Sequence, residues 1–125
     1  DICDLAIGAG ATFVARTTAF HVTEAQTIIK EAIQHKGFSI VNYMSACPVI
    51  YGRLNKSGGA PEMMKQLRDN SIPLQAYEKL PPEKRDGKLL RGIIKNITRP
   101  EYTEEYGKIK KRFQQSVTEE EKNAE

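Results

Sequence analysis

The side chains most able to do chemistry lie together in the run Met44-Ser-Ala-Cys-Pro-Val-Ile-Tyr-Gly-Arg-Leu-Asn-Lys-Ser-Gly-Gly59. Cys47 ends a strand-like segment, and Arg53, Asn55 and Lys56 follow in a polar loop that finishes in two glycines shortly before Pro61. A thiol in this setting has two readings. It is a small buried core residue, a common fate of free cysteine, or it is a thiolate ligand whose companions lie outside the chain. The other cysteine, Cys3, is too remote in sequence to spell out a closed zinc site, and two cysteines with no secretory signal favour a reducing compartment over a disulfide framework. The loop is equally two-sided. Arg53 and Lys56 ahead of glycines and a helix start can hold an anion through side-chain charge and free backbone N–H groups. Alternatively the glycines supply turns, and Arg53 pairs with a carboxylate of a partner subunit.

Other candidates carry less. Gly8-Ala9-Gly10 has the look of a dinucleotide loop, yet no strand precedes it and a strand follows it, so the required context fails. His21 and His35 have no carboxylate or cysteine at ligand spacing and read as surface or helix-end histidines. Glu119-Glu120-Glu121 reads as a solvated run, and Asn96-Ile97-Thr98 as a chance glycosylation match. Cys3 reads as structural.

The elements that must position Cys47 follow from periodicity. Residues 1–11 suggest a short helix capped by Asp4 and stopped at Gly8 or Gly10. Thr12 to Thr17 reads as a strand, and Thr23-Glu24-Ala25-Gln26 as a capping box opening a helix with apolar positions Val22, Ala25, Ile28, Ile29, Ala32 and Ile33. Phe38 to Met44 reads as a second strand, long enough after the first for a parallel crossover. Such a β-α-β unit is a poor domain by itself, so it belongs to a larger α/β sheet, with the first strand expected to lose a neighbour and dimerisation to cover the open face at Phe13, Ile40 and Tyr43. Pro61 opens a short helix, residues 70–82 are punctuated by prolines, and Lys88 to Ile97 reads as a strand interrupted by Gly92. Pro100 opens a last helix carrying Tyr102, Tyr106, Ile109 and Phe113 on one stripe, with Lys108, Lys110, Lys111 and Arg112 around it.

Bulk properties narrow the class. At 125 residues, 39% hydrophobic and 28% charged, the chain suits one small domain or a piece of a larger one. The net charge of +3 is spread over both halves, so nothing advertises a nucleic-acid partner. No apolar run approaches the roughly 18 residues of a membrane span. The chain reads as soluble and cytoplasmic.

Taken in order, Leu5-Ala-Ile-Gly-Ala-Gly-Ala-Thr-Phe-Val-Ala-Arg16, Ile33-Gln-His-Lys-Gly-Phe-Ser39, Ser45-Ala-Cys-Pro48, Tyr51-Gly-Arg-Leu-Asn-Lys56 and Arg99-Pro-Glu-Tyr102 resemble the C-terminal part of the β subunit of 2-oxoacid:ferredoxin oxidoreductases, closest to the 2-oxoglutarate branch. The resemblance covers most of the chain to about residue 106 and lacks the family's paired N-terminal cysteines, its Gly-Asp-Gly thiamine-diphosphate and Mg2+ motif and the Asn-rich loop. It implies an α/β fold: residues 1–59 as the C-terminal part of the thiamine-diphosphate-binding domain, 60–116 as a mostly helical extension, and 117–125 as a disordered acidic tail. It implies that Cys47 is the fourth thiolate ligand of a 4Fe-4S cluster whose other three cysteines lie upstream, with no catalytic or cofactor-binding residue in this stretch. Arg53, Asn55 and Lys56 are the candidates for the anion of a 2-oxoacid or coenzyme A. The implied partners are the α subunit and ferredoxin, and the implied reaction is thiamine-dependent oxidative decarboxylation of a 2-oxoacid to an acyl-CoA. The chain alone is then expected to be inactive, to hold no cofactor and to form a homodimer. The rival reading is a subunit-docking module with no site residue.

Overall fold

The computed structural model describes residues 1–123, with side chains through residue 116. In chain order it contains α1 (Ile2–Gly8), β1 (Phe13–Thr18), α2 (Val22–Gln34), β2 (Ser39–Met44), a π-helical turn (Pro48–Gly52), α3 (Ala60–Asn70), β3 (Ser71–Pro73), α4 (Leu74–Lys79), a 3-10 turn (Pro82–Lys84), β4 (Leu89–Asn96) and α5 (Tyr102–Asn123). The strands form one four-stranded mixed sheet in the order β2-β1-β4-β3. The acidic tail expected at 117–125 lies outside the residues described in full. No described helix is long and apolar enough to cross a membrane.

β1 is buried along its whole length. It runs parallel to β2, with Phe13 opposite Ser39 and Thr18 opposite Met44, so the expected β-α-β crossover is present. Its other edge, expected to be open, is taken by β4, which runs antiparallel from Gly92 opposite Arg16 to Asn96 opposite Phe13. Gly92 does not break that strand. At φ +121°, a conformation that L side chains rarely adopt, it sits beside a register shift between Val14 and Ala15. The irregularity bends β4 and keeps the ladder, as a bulge does.

Alternation along β1 sorts its side chains to two faces. Phe13 and Ala15 meet Ile28 of α2, with Ala32, Val41 and Ile93 packed around them. Val14 faces the other way and meets Cys3, Ala6 and Ala11 from the α1 side, bordered by Ile7, Ile40 and Ile94. Each sheet face therefore carries a helix. Phe13 has no exposed surface and Ile40 is partly buried, so of the positions expected at an intermolecular contact Tyr43 alone, at 45%, is classed as exposed.

Local capping departs from the sequence reading in three places. Asp1, not Asp4, caps α1, accepting a hydrogen bond from the Cys3 backbone N–H at 2.7 Å, because Asp4 lies inside the helix. The Thr23 capping box does not form. α2 starts two residues earlier, behind a His21 cap, and the Glu24 carboxylate meets Arg91 and Thr17. Pro100 precedes α5 rather than opening its first turn, and the Glu101 carboxylate accepts from the Thr103 N–H at 3.0 Å. Within the proline-punctuated segment the chain finds two further elements, β3 beside β4 and then α4.

Because Phe13 fills the layer between sheet and α2, Phe13→Ala is expected to destabilise the fold by about 3–5 kcal/mol. Ile33→Ser, at a side chain 79% exposed, should stay within about 0.5 kcal/mol. Urea unfolding midpoints at constant m-value check both.

Candidate functional site

In sheets with parallel strands, ligands gather outside the carboxyl ends of those strands. Here the shared carboxyl end of β1 and β2 is held by a hydrogen bond from the Ala19 N–H to the Met44 carbonyl at 2.8 Å. Cys47 leaves from this end of β2. β4 arrives at the same end, which brings Arg91 beside Glu24 in a partly buried ion pair between α2 and the sheet. Thr17 donates to Glu24 at 3.3 Å, and His21 Nδ1 lies 2.8 Å from the Thr18 hydroxyl. Burial first, and the Arg91 guanidinium second, hold the His21 pKa below its ordinary value, so the ring stays neutral at pH 7. Sequence reading missed this cluster, because Glu24 stood as an unassigned position between Thr23 and Gln26 and Arg91 lies in a strand far along the chain. Pairing of β1 with β4 makes them neighbours.

The Cys47 thiol is exposed, whereas Cys3 is buried at 3%. Immediately after Cys47 the chain makes one π-helical turn, closed by the Gly52 N–H donating to the Cys47 carbonyl at 2.9 Å. Single π-turns of this kind concentrate at functional sites. Pro48 starts the turn with no N–H to spare. The N–H groups of Tyr51, Ile50 and Val49 point back at the sulfur, with Tyr51 contributing most. They favour the thiolate and hold its pKa below the ordinary thiol value. Gly52, the last residue of the turn, is closely packed: a Cβ there would stand 3.0 Å from Met63 Sδ and 3.1 Å from the Gly58 carbonyl oxygen, so its neighbours would have to shift.

The loop beyond is pinned by its own polar groups. Asn55 donates from both its backbone N–H, at 3.0 Å, and its side-chain amide, at 2.9 Å, to the Tyr51 carbonyl. Ser57 N–H donates to Gly52 at 2.9 Å, and Gln66 of α3 donates to the Ser57 carbonyl at 3.1 Å. At the start of α3 the Glu62 carboxylate accepts from the Gly59 N–H at 3.0 Å, filling the position an anion would take there. Arg53 and Lys56 are exposed and make no ion pair or side-chain hydrogen bond among the described residues. Asn55 is thus committed to loop shape, and the two cations are free.

Between the π-turn, α3 and β4 lies a cleft of about 400 Å³, lined by Met44, Cys47, Tyr51, Met63, Leu67 and Leu89 among others. The structure brings Cys47 and Tyr51 to this cleft and leaves Arg53, Asn55 and Lys56 outside its lining. Among the described residues no group of three or more His, Cys, Asp or Glu side chains could hold a metal ion. Cys47 therefore fits a cluster site as one contributor: a single accessible thiolate with backbone N–H groups aimed at its sulfur, the kind of hydrogen bonding that tunes iron-sulfur centres.

Comparison with known proteins identifies the family of the chain. The 2-oxoglutarate synthase subunit KorB of Methanocaldococcus jannaschii is 41% identical over 109 residues, which is 87% of this chain and 40% of that protein. The subunit of the same name from Methanothermobacter marburgensis is 37% identical over 113 residues, 90% of this chain and 40% of its own length. The chain belongs to the β-subunit family of 2-oxoacid:ferredoxin oxidoreductases. It spans about two fifths of the length of these β-subunit relatives. The 2-oxoglutarate:ferredoxin oxidoreductase from Magnetococcus marinus, solved with 2-oxoglutarate, coenzyme A and succinyl-CoA bound, superposes with a TM-score of 0.68 over 89% of this chain and 38% of that one. At 24% identity that likeness is one of fold, and it agrees with the α/β architecture expected of the β subunit. No protein-family profile matches the chain.

The environment of the thiol predicts its reactivity. Alkylation of Cys47 by iodoacetamide should show a pH midpoint below the ~8.5 of an unperturbed cysteine, while buried Cys3 stays unmodified in the folded chain. Mass spectrometry of each cysteine-containing peptide across a pH series measures both, and equal labelling of the two thiols would contradict the geometry.

Proposed function

We propose that this chain is the part of a 2-oxoglutarate-type 2-oxoacid:ferredoxin oxidoreductase β subunit that presents Cys47 as one of four thiolate ligands to a 4Fe-4S cluster. The observation that carries the reading is the exposed Cys47 thiol with three backbone N–H groups directed at it, placed at the carboxyl end of a parallel strand pair. In the complete enzyme, thiamine diphosphate with Mg2+ supplies the chemistry of 2-oxoacid decarboxylation, and the cluster takes up electrons singly on their way to ferredoxin. The chain's own contribution is positional. The rigid end of β2 fixes the Cys47 backbone, and the N–H groups of the π-turn favour the thiolate form of its sulfur.

Arg53 and Lys56 serve the second half of the reaction in this reading, holding the anionic part of a 2-oxoacid or of coenzyme A at the loop, with Asn55 keeping that loop in shape. Their free, exposed cationic side chains support the assignment. The enzyme works in the cytoplasm with its α subunit and passes electrons to ferredoxin. The present stretch alone is inactive, because the family's thiamine motif is not in its sequence.

Replacing Cys47 with serine in the complete, α-associated subunit is expected to lower bound iron and abolish acceptor reduction while the far-ultraviolet circular dichroism stays native. Full iron content with normal turnover would end this reading and leave the chain a docking module. Arg53→Ala in the same complex should raise KM for the 2-oxoacid or for coenzyme A by roughly tenfold, with kcat little changed, as loss of uniform ground-state binding requires. Unchanged kinetics with both substrates would return Arg53 to a structural role.

A further inference from the structure

Gly52 is the buried member of the π-turn that follows Cys47, and both of its backbone groups are committed. Its N–H donates to the Cys47 carbonyl at 2.9 Å, and its carbonyl accepts from the Ser57 N–H at 2.9 Å. A methyl group here would stand 3.0 Å from Met63 Sδ and 3.1 Å from the Gly58 carbonyl oxygen. Met63 is held in α3 and is only 7% exposed. Gly58 is backbone at φ +83°, leading into the same helix, and yields only if the loop moves. The Gly52 backbone itself lies outside the left-handed region, so alanine is refused there by space and not by conformation.

Between Cys47 and Gly52 the turn leaves three donors unspent. Pro48 has no N–H, and among the described residues no backbone carbonyl accepts from the N–H of Val49, Ile50 or Tyr51. All three are directed at the Cys47 sulfur. Where they stand is decided by the seat of Gly52 against α3. A 4Fe-4S cluster gains one negative charge when it takes up an electron, so N–H dipoles aimed at a ligand sulfur favour the reduced state and raise the reduction potential. The electron comes from the 2-oxoacid as it is decarboxylated and leaves to ferredoxin, with no bond to Cys47 made or broken.

We propose that Gly52 and Met63 are positioning residues for electron transfer: their contact seats the π-turn so that the Val49, Ile50 and Tyr51 N–H groups stay on the Cys47 sulfur, which sets the reduction potential of the cluster that Cys47 helps to hold. The inference rests on the ligand role proposed for Cys47 and adds residues that act only through it.

Redox titration of the complete, α-associated subunit tests it, followed by the electron paramagnetic resonance of the reduced cluster, with bound iron measured on every variant. Two changes probe the turn: Gly52→Ala, and exchange of the Tyr51 N–H for an ester oxygen by incorporating the corresponding α-hydroxy acid. Each should keep bound iron and shift the one-electron reduction equilibrium about tenfold toward the oxidised state, a fall of about 59 mV. Because both act on the same donors, their combined shift should fall short of the product of the separate shifts by about threefold or more. Met63→Ala in the Gly52→Ala background, which removes the sulfur that crowds the new methyl group, should recover most of the shift. Should Gly52→Ala lose iron, recovery of iron in that double variant is the expected result instead, and the ester variant, with every side chain in place, still reads the potential. An unmoved potential in the ester variant, separate shifts that simply multiply, or no recovery on Met63→Ala overturns the proposal. Cys47→Ser separates the two readings: loss of iron there with an unmoved potential in the ester variant overturns this inference alone, whereas full iron content in Cys47→Ser overturns both.

Discussion

The structure depends on the burial of one strand. β1 is covered on both faces and paired on both edges, so α1, α2, β2 and β4 are placed by their relation to six residues. A strand in that position must be apolar on both faces or have its polar groups satisfied. Phe13, Val14 and Ala15 meet the first condition. Thr17 and Arg16 meet the second, through Glu24 and Asp1 respectively.

Two arginines then fasten one helix to each face. Arg16, with its side chain 6% exposed, reaches Asp1 at the cap of α1. Arg91, at 16%, reaches Glu24 in the first turn of α2. In both cases the carboxylate sits at a helix N-terminus, where the helix dipole already favours negative charge. Each pair offsets part of the cost of burying a guanidinium in the sheet, although the Nε of each arginine stays unpartnered. Direction and register gain more from such pairs than net stability does. An arginine with one reachable carboxylate permits one placement of the helix.

With β1 and α2 fixed, the carboxyl end of β2 is fixed too, and Cys47 is delivered outward at the start of a turn that cannot relax. Gly52 is packed under Met63, Ser57 is tied back to Gly52, and Gln66 holds the loop to α3. The thiol is therefore presented by a braced turn rather than by a mobile loop. The ligand role proposed for Cys47 uses that arrangement, because the position of a metal ligand is only as good as the shell behind it.

What the sequence determined by itself were the features set by local pattern: the strand at Thr12–Thr17, the amphipathic helix after it, the parallel return strand, the helix opened near Pro61, and a cysteine at a strand end in a run of residues characteristic of one family. Both histidines fall at the ends of α2, as their isolation from ligand spacing suggested. Tertiary structure decided what local pattern could not. Glu24 read as an intervening position of the expected capping box, and the fold gives it Arg91, sixty-seven positions away, as its partner. The open edge expected of β1 was closed by β4, whose Gly92 reads as an interruption in one dimension and serves as a bend in three. Whether Cys47 is core or surface was equally undecided by its neighbours in sequence. The fold leaves the thiol exposed and packs Gly52 closely against Met63, and close approach of two segments leaves no periodic trace in the chain.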